Sequence, residues 1–196
     1  YITPAGEIGR SIFVYNPATK AWNYFDKEGN RVTGRQYIDG HLYYFKEDGS
    51  QAKGEIIEEN GIKYYYEPES GILASGRYLQ VGDDQWMYFK QDGSLAIGQV
   101  RADHGYLKYF DKNGIQVKGK TIVEDGKTYY YDAHSGALVT SSFAEIAPNQ
   151  WAYFNTEGQA LKGKWTINGK EYYFDENGIQ YKGKAIKVGS RYKYYD

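Results

Sequence analysis

The chain has 196 residues, with 24 basic and 25 acidic side chains and a formal net charge of −1 at pH 7. The charges are mixed along the chain without a basic stripe, which argues against nucleic-acid binding. No apolar stretch approaches the length that crosses a bilayer, and the absence of cysteine excludes disulfides. Aromatic residues make up 18% of the chain and 23 of them are tyrosine. Rings with an apolar body and a polar tip suit a thin fold without a thick aliphatic core.

One aromatic sequence motif recurs along the whole chain, and its most complete copy spans residues 172–183. The residue before the last aromatic of each run is tyrosine in all nine units. Neighbouring side chains of a strand point to opposite faces, so each unit places this tyrosine on one face and the last aromatic on the other. A fixed short period is typical of a solenoid or array. The last aromatics follow one another at intervals of 20 to 23 residues, at Phe25, Phe45, Tyr66, Phe89, Phe110, Tyr131, Phe154, Phe174 and Tyr195.

Turn signals indicate that each unit is a β-hairpin. Two-residue turns that need positive φ at both positions occur at Asp39-Gly40, Asn60-Gly61, Asp125-Gly126 and Asn168-Gly169. No segment has a convincing 3.6-residue period, so helices are not expected. The sequence therefore predicts an all-β fold, an elongated β-solenoid of about nine stacked hairpins that forms a single array over residues 1–196. Since Tyr1 begins inside a patterned region, we expect the chain to be a fragment of a larger protein.

A longer period lies above the single hairpin. Trp22, Trp86 and Trp151 occur in every third unit, and equivalent aromatics three units apart are offset by 64 or 65 residues. The chain therefore holds three triplets, at approximately 10–76, 77–141 and 142–196. Ser141 stands where glycine closes other units, which predicts a bend or a relaxed turn there.

The middle hairpin of each triplet ends in a Gln-x-Lys-Gly tail. Side chains two residues apart project from one face of a strand, and a tyrosine from the following hairpin would stand beside them. Tyrosine stacks on the C–H face of a sugar ring, while the amide and the ammonium group bond its hydroxyls. The predicted carbohydrate-binding sets are Gln51 and Lys53 with Tyr64 or Tyr65, Gln116 and Lys118 with Tyr129 or Tyr130, and Gln180 and Lys182 with Tyr192 or Tyr194.

A plainer interpretation stands beside this one. Most of the aromatics are then the packing that joins hairpins, and glutamine and lysine mark a solvated strand edge, where lysine discourages edge pairing. Catalysis has little support, because His41, His104 and His134 lie in or near turns without a repeated partner. The spacing of a calcium loop, a zinc cluster or a phosphate-binding loop is missing, so no catalytic residue, metal or cofactor is expected.

The motif at residues 172–183 resembles the cell-wall or glucan-binding repeats of Gram-positive surface proteins. Choline-binding modules, clostridial toxin repeats and the glucan-binding regions of glucansucrases share it. Choline-binding modules begin units with Gly-Trp and hold a quaternary ammonium in a tryptophan cage, and only Gly163-Lys164-Trp165 comes near that pattern here. The tyrosine-rich triplet resembles the glucansucrase region more closely.

This resemblance implies non-catalytic binding of an α-glucan (dextran-like polymer or isomalto-oligosaccharides) by a monomer, as part of a secreted bacterial glucansucrase, with an extracellular or cell-wall location. The alternatives are a choline or teichoic-acid anchor and a structural spacer or protein-interaction stalk. On this interpretation, Gln116→Ala with Lys118→Ala weakens glucan binding and leaves the melting temperature nearly unchanged.

Overall fold

A computed structural model describes residues 1–195, with the backbone alone at Val188. Nine β-hairpins follow one another, and the single helical element among the described residues is a 3-10 turn at Asp103–Gly105. The predicted all-β fold of nine successive hairpins is therefore confirmed. The chain forms two compact units, Tyr1–Ala96 and a second that begins at Ile97.

Each hairpin is a separate two-stranded antiparallel sheet. The first unit holds β1 (Ile12–Asn16) with β2 (Ala21–Phe25), β3 (Gly34–Ile38) with β4 (His41–Phe45), β5 (Glu55–Glu59) with β6 (Ile62–Tyr66), and β7 (Arg77–Gly82) with β8 (Gln85–Phe89). The second unit holds β9 (Gly98–Arg101) with β10 (Leu107–Phe110), β11 (Lys120–Glu124) with β12 (Lys127–Tyr131), β13 (Ser142–Ala147) with β14 (Gln150–Phe154), β15 (Gly163–Ile167) with β16 (Lys170–Phe174), and β17 (Lys184–Val188) with β18 (Arg191–Tyr195). An isolated two-stranded hairpin is marginal in water, so the stability must come from contacts between hairpins.

The four predicted hairpin turns have the expected backbone. Both central residues have positive φ, for example 48° at Asp39 and 84° at Gly40. Turns of this kind match the twist of the flanking strands and fix their register. In the β3–β4 hairpin that register sets Phe45 opposite Gly34 and Tyr44 opposite Arg35.

After its second strand, each of the first eight hairpins makes a glycine turn and a short tail that folds back. The tail binds its own hairpin, as where the Ala52 N–H donates to the Tyr44 carbonyl at 2.8 Å. It also binds the hairpin before, because the first tail residue donates its N–H to a carbonyl three residues before the preceding last aromatic. These links between hairpins run from Gln51 to Trp22, Leu73 to Leu42, Leu95 to Lys63, Leu138 to Leu107, Ala160 to Thr128, and Gln180 to Trp151.

The last aromatic of each run, which we call the anchor, forms the core. Seven anchors have no exposed surface: Phe45, Tyr66, Phe89, Phe110, Tyr131, Phe154 and Phe174. The tyrosine before one anchor packs on the anchor of the next hairpin, with ring centroids 5.7 Å apart for Tyr65 and Phe89 and 6.0 Å apart for Tyr130 and Phe154. Such a pair contributes about 0.5–1.5 kcal/mol beyond its buried area. The packing role predicted for most of the aromatics is present at these positions.

Ser141 keeps the conformation of the glycines that close other hairpins. Its φ is 48°, and its N–H donates to the Asn155 carbonyl at 3.0 Å. Gly76, at the same place one triplet earlier, has a φ of 62° and donates to the Lys90 carbonyl at 3.1 Å. The turn at Ser141 is therefore not relaxed, and serine is held in the left-handed region that favours glycine.

We expect Ser141→Gly to raise the free energy of unfolding by about 0.5–1 kcal/mol. The left-handed conformation costs a non-glycine residue ~1–2 kcal/mol, which exceeds the ~0.4–1 kcal/mol of unfolded-state entropy that a new glycine adds. Urea unfolding followed by circular dichroism measures the change. Ser142→Gly, in the extended strand β13, is the matched control and should destabilise. Equal destabilisation by both substitutions would contradict this account.

Burial raises the pKa of Tyr66 and of Tyr131 to about 12. Since the folded value lies above the ordinary value of 10.0, the stabilisation is fully present below pH 10 and is lost as the pH rises through about 12. We expect phenolate absorbance to show late-titrating tyrosines that ionise together with loss of the β-sheet circular dichroism signal. Tyr131→Phe should remove part of the late absorbance. Titration of all tyrosines near pH 10 in a folded chain would overturn the assignment.

Candidate functional site

The first predicted pair, Gln51 and Lys53, lies over the turn that follows β6. Gln51 Nε2 donates to the Ser70 carbonyl at 3.1 Å, and Lys53 Nζ donates to the Glu69 carbonyl at 2.6 Å. The two side chains are therefore brought to one place, as the spacing predicted. Gln51 is only 6% exposed, so its amide faces the protein more than the solvent.

The second pair repeats this arrangement. Gln116 is 9% exposed, and its Nε2 donates to the Ser135 carbonyl at 3.3 Å. A Cβ placed on Gly136 would lie 2.2 Å from that Nε2 and 3.2 Å from Lys118 Cγ. A Cβ placed on Gly71 would lie equally close to Gln51 Nε2, at 2.2 Å. Because Gly71 and Gly136 have no Cβ, the glutamine side chain can approach the backbone of each turn closely, and at Gly136 the aliphatic part of Lys118 can do so as well.

The third pair is more open. Gln180 is half-buried and Lys182 is exposed, while the Gln180 N–H donates to the Trp151 carbonyl at 2.7 Å. Tyr192 and Tyr194, in β18, are 75% and 61% exposed. The residues that would follow β18 and match the turn under Gln51 lie outside the described residues.

The predicted tyrosines divide by strand face. Tyr65 and Tyr130 are buried and stacked on the next anchors, Phe89 and Phe154. Tyr64 and Tyr129 are half-buried on the opposite face. Among the described residues, none of these four makes a hydrogen bond to the glutamine or the lysine of its predicted set. The structure thus brings each of the first two Gln–Lys pairs together over a turn, and the ring contacts of the tyrosines lie elsewhere.

Tyr64 and Tyr129 also differ from each other. The Arg35 guanidinium lies 4.0 Å from the centroid of the Tyr64 ring and is bonded to Glu59. Gln99 occupies the position of Arg35 in the next triplet, and its Nε2 donates to Tyr131 Oη at 2.9 Å. A cation–π contact therefore covers one face of Tyr64, and no described cation lies over Tyr129.

A cleft in the second unit contains a group that the sequence reasoning left outside the predicted sets. This cleft, named here the Trp165 cleft, has a volume of about 380 Å³ and is lined by Ser141, Tyr153, Asn155, Thr156, Leu161, Trp165, Thr166, Ile167 and Asn168. Trp22, Trp86 and Trp151 recur in every third unit, whereas Trp165 lies outside this period. This irregularity is the feature of the sequence that could have indicated a separate site.

A second cleft of about 440 Å³ lies in the same unit, between β11–β12, the end of β13–β14 and the turn after β16. Its polar lining includes Thr121, Thr128, Gln150, Lys162 and Asn177, and no aromatic ring contributes to it. It offers hydrogen bonds to a ligand without a stacking surface.

The histidines lie apart, with His41 at the start of β4, His104 in the 3-10 turn and His134 in the turn after β12. Within residues 1–195 no group of three or more His, Cys, Asp or Glu side chains is placed to hold a metal. Nor does that part of the chain contain a helix of the length and apolarity needed to cross a membrane.

The burial of Gln116 changes the expectation for its removal. Gln116→Ala deletes the bond to the Ser135 carbonyl and empties a buried position, so we expect a loss of about 1 kcal/mol, or ~2–4 °C in melting temperature for a chain of this size. Gln180→Ala is the matched control, because that half-buried side chain has no hydrogen-bond partner among the described residues, and its effect should stay within about 0.5 kcal/mol. Thermal unfolding by circular dichroism compares the two. An unchanged melting temperature for Gln116→Ala would contradict a structural role for this glutamine and would support the purely ligand-binding role predicted from the sequence.

Comparison with known proteins adds close sequence relatives. Glucosyltransferase-S of Streptococcus mutans is 38% identical over 177 residues, which are 89% of this chain and 12% of that protein. Glucosyltransferase-I of the same organism is 38% identical over 196 residues, 98% of this chain and 13% of that protein. The chain thus spans a small part of the length of the curated relatives it matches.

Solved structures and a family model agree on the fold. The choline-binding domain of CbpL from Streptococcus pneumoniae superposes with a TM-score of 0.67 and 25% identity over 86% of this chain and 85% of that one. CbpJ of the same species gives a TM-score of 0.71 at 24% identity, over 82% of this chain and 56% of that one. Residues 17–48, 32–78, 103–143 and 165–196, more than half of the chain, match the family model of the choline-binding repeat. The chain belongs to the choline-binding repeat family.

Proposed function

We propose that this array binds α-glucan chains without catalysis, through several weak sites that one polymer occupies together. The observation that carries the proposal is the 38% identity to two streptococcal glucosyltransferases over 89% and 98% of the chain. In an enzyme that transfers glucosyl units, a region that binds α-glucan would hold the enzyme on the polymer. The surface of this chain supplies suitable chemistry, since rings, amides and ammonium groups recur with the triplet.

The residues proposed to meet the sugar are those of the three predicted sets, with their roles divided by burial. Gln51 and Gln116 hold the turns by donating Nε2–H to turn carbonyls, and we assign to each amide oxygen the role of acceptor for a hydroxyl of a sugar that reaches the turn. The lysines Lys53 and Lys118 stand at the outer edge of the same turns, where an ammonium group donates to sugar hydroxyls. We assign stacking on the sugar to Tyr129 and, where Arg35 moves aside, to Tyr64.

The third set is the most accessible one. Gln180 is half-buried, and Lys182, Tyr192 and Tyr194 are exposed. Exposed tyrosines offer stacking area at a small entropic cost, because only two side-chain torsions are fixed. Tyr65 and Tyr130 take a supporting part in the other two sets, since their rings are already packed on anchors.

Repetition is the proposed source of useful affinity. A single shallow site with a dissociation constant of ~1 mM contributes about −4 kcal/mol. A polymer held at one site meets the next at a high effective concentration, and avidity then exceeds a single affinity by roughly 10²–10⁴. On this view the chain anchors a secreted or cell-wall-associated bacterial glucosyltransferase to its product, and glucosyl transfer takes place in another part of that protein.

Choline binding is the second candidate, and the family membership and the likeness to CbpL favour it. Two contacts speak against a cage for a quaternary ammonium in the first unit. Trp22 packs on Tyr15 at a centroid distance of 5.5 Å, and the chain's own Arg35 lies over Tyr64. Both rings already have neighbours where an ammonium ligand would need their faces.

Native electrophoresis in gels containing dextran tests the proposal. We expect the chain to be retarded by dextran, and the triple variant Lys53→Ala, Lys118→Ala, Lys182→Ala to lose at least about tenfold in apparent affinity, because weakening several linked sites removes avidity. Lys27→Ala, Lys112→Ala, Lys127→Ala is the control, since these exposed lysines change the net charge equally. Absence of retardation, with elution from a choline column by free choline, would favour the second candidate. Indifference to both ligands would leave a spacer role.

A further inference from the structure

The indole of Trp165 forms an open wall of the Trp165 cleft. It is 46% exposed, and its Nε1 donates to the Lys162 carbonyl at 2.8 Å. Its partner across the β15–β16 ladder is Tyr172, whose ring packs on Phe143, and the indole makes no aromatic stacking or cation–π contact with another described residue. The hydrogen bond fixes the orientation of the ring, so one broad apolar surface is held rigidly toward solvent.

The corresponding hairpin of the first triplet shows what this position requires structurally. Gln36 occupies the place of Trp165 in strand β3, and its Nε2 donates to the Thr33 carbonyl at 2.7 Å. A glutamine thus makes the same bond to the carbonyl three residues earlier. An amide therefore makes this hydrogen bond as well as an indole does. The hydrogen bond does not explain why a large, exposed ring occupies position 165.

The floor of the cleft is apolar and firmly packed. Leu161 and Ile167 are 8% and 9% exposed, and they cluster with the buried anchor Phe174 and with Tyr153. The volume of about 380 Å³ lies within the range of roughly 300–1,000 Å³ that ligand sites occupy. The cleft is therefore a shaped surface on a rigid base.

The rim of the cleft is polar and carries no charged side chain. Asn155 Oδ1 accepts the N–H groups of Glu157 and Gln159, which leaves its Nδ2 as a donor without a partner among the described residues. The side chains of Thr156 and Asn168 likewise make no hydrogen bond to another described residue. Such a rim favours a neutral ligand with several hydroxyls over an ammonium ion or an anion.

We propose that the Trp165 cleft is an additional carbohydrate site, which takes one hexopyranose ring of an α-glucan with its C–H face on the indole and its hydroxyls on Asn155, Thr156 and Asn168. The choice of ligand rests on the proposed function, while the site itself lies outside the three predicted sets. The site depends on the indole of Trp165, and the matching position of the first triplet holds Gln36 instead.

Indole resonances test this site directly. In protein labelled with ¹⁵N-tryptophan, the four tryptophans give four Nε1–H signals, and Trp165→Gln identifies the one from Trp165. We expect titration with isomaltotriose up to roughly 50 mM to shift this signal along a saturable curve, with a dissociation constant of ~1 mM. The shift should persist in the triple lysine variant, whose changes lie outside the cleft. Because the titration uses the unaltered chain, a variant is needed only to assign the Trp165 signal.

Trp165→Gln should also weaken retardation by dextran about two- to tenfold, since one of several linked sites is lost, and should keep the melting temperature because glutamine serves at position 36. Tyr37→Gln, which removes a 73% exposed ring from the matching hairpin, is the control and should leave retardation unchanged. An unmoved Trp165 signal in a chain that dextran still retards would overturn this site and leave the proposed function standing. A signal that responds to choline and not to isomaltotriose would overturn the ligand class. Absence of both retardation and shift would remove the two proposals together.

Discussion

Within each unit, one kind of ring contact joins the hairpins: the tyrosine before an anchor packs on the anchor of the next hairpin, as Tyr44 does on Tyr66, Tyr65 on Phe89 and Tyr130 on Phe154. Every hairpin is a two-stranded sheet with no strand partner beyond itself, so its apolar face has to be buried by its neighbours. Within the two units, the tails of six hairpins each add one backbone hydrogen bond to the hairpin before. Tyrosine suits the pairing because its ring packs while its hydroxyl can bond a polar partner. At the anchor Tyr131 that hydroxyl accepts a hydrogen bond from Gln99.

This constraint also determines where ligand chemistry can be placed. The positions of the anchors and of the preceding tyrosines are committed to packing, which leaves the outer strand face, the turns and the tails to vary. Arg35 and Gln99 show such variation at one position, and Gln36 and Trp165 show it at another. A triplet can therefore change its surface residues without changing its core. We expect such an array to carry several weak sites that differ in the residues lining them.

The sequence predicted the fold well because its signals are local. The aromatic run marks each hairpin, Asx-Gly turns determine four of them within a few residues, and the regular spacing implies that hairpins pack in order. The surroundings of Gln51 were not predictable in the same way. Its partner is the carbonyl of Ser70 in the following hairpin, and spacing alone does not distinguish a side chain that faces solvent from one that meets the next turn. The Trp165 cleft was missed because its walls come from β15 and from the turn after β14, which only the packed structure brings together.

The central claim is that α-glucan binds to the variable surface of a scaffold whose core is fixed. A crystal structure of the chain with a long isomalto-oligosaccharide tests it most directly. The account predicts glucosyl rings against the lysine-bearing tails or the Trp165 cleft, with the anchor packing undisturbed. Sugar density confined to other surfaces, or no density at saturating ligand, would contradict it.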